Sequence, residues 1–126
     1  MSTNESPILL VEDDPLLRDA LRLLLEDAGY RVREAGSAAE ALEATIAEIP
    51  ALVLLDLGLP DRSGLDVARI LRRRTPTRAT PIVALTGRVG TSERNACLEA
   101  GCTSFLAKPV EPKELLRCVP GFLRQG

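Results

Sequence analysis

Histidine is absent from the chain, and its absence removes several kinds of chemistry at once. A Ser-His-Asp triad, a histidine general base and a phosphohistidine carried by the chain itself all require an imidazole. Cysteine is sparse: Cys97, Cys102 and Cys118 form an odd set without C-x-x-C spacing. With no histidine to complete it, that set does not read as a zinc site, and the three are expected as reduced thiols. An excess of one charge sign is also missing. The 16 Lys and Arg against 18 Asp and Glu leave a net charge of −2, which offers no broad electropositive surface to a phosphate backbone, so direct nucleic-acid binding is not expected. No apolar run approaches the roughly 18 residues of a membrane span. The opening MSTNESP also lacks the basic-then-apolar order of a leader. A cytoplasmic chain without membrane insertion is the expectation.

What is present suffices for one domain. With 126 residues and 45% apolar content, a core can form without disulfide or metal staples. A single domain over 1–126 with a core of about 7–119 is therefore expected. Short Val-, Ile- and Leu-rich runs alternate with segments of helical periodicity, each boundary marked by a turn or cap signal. The first strand is expected at Ile8–Val11. Its helix opens with Pro15 behind Asp14 as N-cap and ends at Gly29, with Leu17, Ala20, Leu21, Leu24 and Ala28 as the buried stripe. A short strand over 31–35 is polar enough to be an edge, and Ser37 with Glu40 gives the capping box of a helix running to Glu48.

Residues 51–55 are nearly all apolar, as in a central parallel strand buried on both faces, and they deliver Asp56 at the C-terminal end. A loop over 57–63 leads to a helix over 64–74, whose Arg72, Arg73 and Arg74 read as a solvated helix end. The next strand is expected over 82–85. Thr91 or Ser92 should cap a helix ending at Gly101, followed by a strand at Ser104–Ala107. Glu111 and Pro112 begin a last helix that Pro120-Gly121 should stop or kink. Such alternation calls for a doubly wound α/β fold, a parallel sheet with helices on both faces.

The polar residues at strand ends are Glu12, Asp13 and Asp14, then Asp56, Thr86 and Lys108. All fall at C-terminal ends, the edge where open α/β sheets bind ligands. Asp14 directly precedes Pro15 and reads as a helix cap, not a ligand. Glu12, Asp13 and Asp56 would repel one another unless a cation intervened. Three acids with no nitrogen or sulfur donor suit Mg²⁺. An aspartate can attack phosphorus to form an acyl phosphate once metal and positive charge offset the repulsion. Lys108 would supply that charge, and the Thr86 hydroxyl could donate to a phosphoryl oxygen.

The segments ILLVEDDP, LLDLGLPDRSGLD, PIVALTG and AGCTSFLAKP occur in this order, and from Pro7 to Leu116 the chain resembles the receiver domains of two-component response regulators. The resemblance implies a flavodoxin-like sheet of strand order 2-1-3-4-5 with five helices, in a signalling module that is not an enzyme of metabolite turnover. It implies that Asp56 is phosphorylated from the phosphohistidine of a sensor histidine kinase or histidine phosphotransfer protein. Asp13 would ligate Mg²⁺ directly, Glu12 through water, and Gly58 through its backbone carbonyl. Lys108 would contact the phosphoryl group, the bond from Lys108 to Pro109 would be cis, Thr86 would move toward the phosphoryl oxygens, and Phe105 would be the aromatic switch. The face formed by helix four, strand five and helix five would then change for a downstream protein partner or a covalently linked output domain. Gly58 and Arg88, two positions after Asp56 and Thr86, match places that tune phosphoryl lifetime in the family. Departures are also present. Cys102, Thr103 and Ser104 stand where transcription-factor receivers show acids used in dimer salt bridges.

Two alternatives share parts of this pattern. A phosphatase of the haloacid-dehalogenase type also uses a strand-end aspartate with Mg²⁺, but it needs a second aspartate where this chain has Gly58. A pseudo-receiver that binds partners without phosphorylation predicts the loss of an acid, the threonine or the lysine, and none is lost.

Overall fold

Mostly apolar runs of four or five residues, together with the more polar segment VREA, become the strands of a single parallel sheet in the computed structural model, which describes residues 6–88 and 90–124. They are β1 (Ile8–Val11), β2 (Val32–Ala35), β3 (Leu52–Asp56), β4 (Ile82–Thr86) and β5 (Ser104–Ala107). Their order is β2-β1-β3-β4-β5, with every pairing parallel. The crossovers are α1 (Pro15–Asp27), α2 (Ala38–Ala47), α3 (Gly64–Arg73) and α4 (Thr91–Ala100), and α5 (Pro112–Leu123) closes the fold.

Alternation along the strands divides the core into two layers. Leu9, Val11, Val53, Leu55, Ile82 and Ala84 face α2, α3 and α4. Ile8, Leu10, Leu52, Leu54, Val83 and Leu85 face α1 and α5. The central strands β1, β3 and β4 are buried throughout, whereas β2 is largely half-buried at the sheet edge, as its polar sequence leads one to expect.

The chain folds differently from its sequence expectation at four places. In α1 the buried line is Leu21 and Leu25 with Leu17 and Leu24 half-buried, while Ala20 and Ala28 are exposed. The larger leucines remove more apolar area per residue and set the helix rotation. In α4 neither Thr91 nor Ser92 caps the helix. Gly90 is the N-cap and brings no side-chain acceptor. Pro120 does not end α5, which continues to Leu123. The proline lies in the last turn, where the one hydrogen bond it removes costs least. Val119 is buried beneath that turn, and Arg124 N–H still donates to Pro120 O at 3.3 Å.

The fourth difference is Arg72, which is half-buried and bonded to main-chain carbonyls instead of standing in solvent as a free helix-end charge. Its guanidinium donates to the carbonyls of Gly101, Arg78 and Thr80 at 2.8, 3.1 and 2.5 Å, joining the end of α3 to the end of α4. Gly101 sits over it at φ 102°, and a Cβ there would lie 2.5 Å from Arg72 Cγ, so both conformation and space require glycine. The three cysteines are free thiols. Burial, with the neighbouring Cys97 adding to it, pushes the Cys102 thiol up to about 12.

Candidate functional site

Strand register assembles the site. Val11 pairs with Leu55, so the next residues, Glu12 and Asp56, lie side by side at the C-terminal edge. Thr86 pairs with Ala107, which places Lys108 one step beyond, where its N–H donates to Thr86 O at 2.8 Å. The winding reverses between β1 and β3, so this edge opens into a crevice. The resulting cleft, of about 790 Å³, is lined by Glu12, Asp13, Asp56, Gly58, Thr86 and Lys108 among others.

Glu12 and Asp56 are almost fully buried, at 1% and 4% exposure, whereas Asp13 is exposed. Carboxylate oxygens of these three acids lie within 4.8 Å of one another. Lys108 Nζ stands between two of them, 3.0 Å from Glu12 Oε1 and 3.1 Å from Asp56 Oδ1. Asp56 Oδ1 also accepts the Gly58 N–H at 3.0 Å, and Glu12 Oε2 accepts the Asp14 N–H at 3.2 Å. Asp14 itself caps α1 through its own side chain, taking the Leu16 N–H at 3.0 Å. From α1, Arg18 donates to the main-chain oxygen of Glu12 at 2.9 Å and pairs with Glu34 on β2.

Burial raises the Glu12 pKa and the nearby Asp56 charge adds to this, against the lowering effects of Lys108 and the Asp14 N–H. For Lys108 burial acts downward, but the Glu12 and Asp56 carboxylates outweigh it and the net shift is up. Three carboxylates face one ammonium, so the cluster carries a net negative charge that a divalent cation would offset. Glu12 Oε1 is buried, and among the described residues the Lys108 ammonium, 3.0 Å away, is the group that meets it, which leaves acceptor capacity on this oxygen unused. An all-oxygen donor set with such an under-satisfied acceptor fits Mg²⁺.

Thr86 reaches the cleft, but its hydroxyl is engaged next door. It accepts the Arg88 N–H at 3.0 Å and faces Arg88 O at 3.1 Å. Phe105 is half-buried and carries the Arg94 guanidinium 5.2 Å from its ring centroid. The peptide bond between Lys108 and Pro109 is cis. Arg18 is a site neighbour that sequence reasoning does not find, because nothing in its local pattern marks a contact to a strand end. Glu93, which also lines the cleft, escapes for the same reason.

A five-stranded parallel sheet of this order, with acids after β1 and β3 and a lysine after β5, defines a class that comparison identifies. Residues 8–119 match the response regulator receiver domain family, and the chain belongs to it. The DNA-binding response regulator MtrA of Mycolicibacterium smegmatis is 39% identical over 126 residues, which is all of this chain and 54% of that protein. This chain therefore spans little more than half of that relative. A putative response regulator from Chloroflexus aurantiacus superposes with a TM-score of 0.90 at 36% identity, covering 96% of this chain and 99% of the other. The receiver domain of sensor histidine kinase PA1611 from Pseudomonas aeruginosa superposes with a TM-score of 0.87 at 31% identity, covering 96% and 99%. That structure holds a magnesium ion coordinated in its active-site cleft. The chain is thus a two-component receiver domain, a member of a family of signalling modules. No helix among its described residues is long and apolar enough to cross a membrane.

Proposed function

We propose that Asp56 accepts a phosphoryl group, with Mg²⁺ held by Glu12, Asp13, Asp56 and the Gly58 carbonyl. The observation that carries this reading is the Lys108 ammonium held within 3.1 Å of both Glu12 and Asp56 at the C-terminal edge of the sheet. Oδ1 of Asp56 is occupied by the Gly58 N–H and Lys108, which leaves Oδ2 to attack phosphorus. In that step a P–O bond forms to Asp56 as the P–N bond of a partner's phosphohistidine breaks, and the imidazole departs with the electron pair and takes up a proton from solvent. The bound cation would supply charge neutralisation for the phosphoryl oxygens. Lys108 sits where it can follow the charge from carboxylate to phosphoryl group. Release of Thr86 from Arg88 toward the new dianion would open space for Phe105 to turn, altering the face of α4, β5 and α5.

The donor in this reading is a sensor histidine kinase or histidine phosphotransfer protein in the cytoplasm, since this chain has no histidine of its own. Residues 1–126 act as one domain, and output passes to a downstream protein or to a covalently linked domain. Hydrolysis of the aspartyl phosphate within the same site returns the resting state. The test is incubation with Mg²⁺ and acetyl phosphate, with adduct formation read by intact mass. A phosphoryl adduct is expected on the wild type, and not on Asp56→Asn or in excess chelator. A wild type that gains no Asp56-dependent adduct overturns the proposal.

A further inference from the structure

The loop 57–63 between β3 and α3 carries Gly58 and is fastened at three heights. At its base the Gly64 N–H donates to Leu57 O at 3.1 Å. The two passes of chain lie so close there that a Cβ on Gly64 would stand 2.5 Å from Asp56 O and 2.9 Å from Leu57 Cα. Midway, Leu59 is buried in the core layer beneath α2 and α3. At the tip Asp61 reaches another element altogether. Its Oδ1 accepts the Ala38 N–H at 2.9 Å and its Oδ2 the Ala39 N–H at 3.0 Å.

Those are the first two amides of α2. Ser37 Oγ takes the third, from Glu40 at 3.2 Å, and Ser37 O takes the next, from Ala41 at 3.0 Å. Every donor of the first turn therefore has an acceptor, and the two that the local caps do not reach are met by a side chain 22 and 23 residues away. The Ala38 and Ala39 N–H groups hold the Asp61 carboxyl below its usual range, as two donors on one carboxylate do.

We propose that Asp61 is a positioning residue for phosphoryl transfer at Asp56, acting by clasping the 57–63 loop to α2 and so fixing Gly58. The inference rests on the reading of Asp56 as phosphoryl acceptor. Gly58 is the point of action because its N–H is aimed at Asp56 Oδ1, 3.0 Å away, and its carbonyl is the main-chain group assigned to the cation. Only Leu59 and Pro60 separate Gly58 from the clasp. The first is packed in the core and the second has its φ fixed by the ring, so little slack lies between Asp61 and the site. Cutting the clasp frees the loop tip and lets the Gly58 peptide reorient.

The test is Mg²⁺ titration of the full chain, by calorimetry and by the Gly58 amide signal in NMR spectra, on wild type, Asp61→Ala, Asp61→Asn and Ser37→Ala. Ser37→Ala takes a cap from the same helix without touching the loop, so it reports what a weakened α2 does alone. Asp61→Ala is expected to weaken Mg²⁺ binding by about tenfold, the scale of losing an outer-shell support, and to shift the Gly58 signal before any metal is added. Asp61→Asn keeps one acceptor and should recover part of the affinity, while Ser37→Ala should match wild type. A titration in which Asp61→Ala coincides with wild type or with Ser37→Ala overturns the inference. Should Asp61→Ala not fold, the same comparison between Asp61→Asn and Ser37→Ala decides. Adduct formation on the wild type is measured alongside, since its failure overturns the proposed function, whereas a normal adduct with an unaltered Asp61→Ala titration overturns the positioning role alone.

Discussion

Lys108 is where the charge balance of the cleft is decided, because its ammonium touches two buried carboxylates that otherwise repel each other. Removing it makes the acidic cluster more negative, which does not weaken attraction for a divalent cation. Lys108→Ala is therefore expected to keep Mg²⁺ binding at or above the wild-type level and to lose the phosphorylation-driven change in amide NMR shifts around Phe105. Equal loss of both would argue against its assigned role. Much of this cleft was legible at the residue level, since Glu12, Asp13, Asp56, Thr86 and Lys108 each terminate an apolar strand and the topology brings such ends to one edge. The engagement of Thr86 with Arg88, and the hold of Arg18 on the Glu12 main chain, were not legible, because both depend on side-chain directions that strand periodicity does not encode.

Among the elements, the strands follow their sequences closely. Ile8–Val11 and Ser104–Ala107 fall as apolar content alone would have them, since a strand buried on one or both faces leaves few competing assignments. The helices departed more, and the departure at Arg72 is long-range. Arg72 looks like a dipole-favoured surface charge until the chain 29 residues further on supplies Gly101 O as its acceptor. Arg72→Ala leaves several part-buried carbonyls without donors, and a loss of about 2 kcal/mol is expected, readable as a lower urea midpoint with an unchanged slope. Glu48 ties the end of α2 to the edge strand by pairing with Arg31 and Arg33. Hydrogen bonds from Arg31, reinforced by its charge and by Arg33, outweigh partial desolvation and hold the Glu48 carboxyl below its usual range. A depressed carboxyl contributes stability above its unfolded-state pKa and loses it as pH falls through the folded value. Acid titration of Glu48→Gln should accordingly show a shallower loss of stability over that interval than the wild type, with the difference shrinking at high salt.

At the level of the whole molecule, a cation held at the proposed site, between the ends of β1 and β3, must couple to global stability. With Mg²⁺ at a hundred times its dissociation constant, unfolding should become harder by about 2.7 kcal/mol. The rise in melting temperature that reports this should be absent in Asp13→Asn and after chelation. The overall architecture was open to sequence reasoning because parallel strands permit few connections. The clasps between distant segments were not, since each is a meeting of residues that share no local pattern.

One feature of that architecture bears on how the molecule can move. The C-terminal end of α4 is pinned, with Gly101 O held by Arg72 beneath a left-handed turn, while its N-terminal end begins at Gly90 with no side-chain cap and its buried residues are Cys97 and Ala100, in its later half. A rod fixed at one end and loose at the other behaves as a lever with its fulcrum at Gly101. Any displacement of α4 is then greatest in the turn beside Thr86 and Arg88, so a small movement at the rim of the cleft becomes a swing of the helix and not a slide.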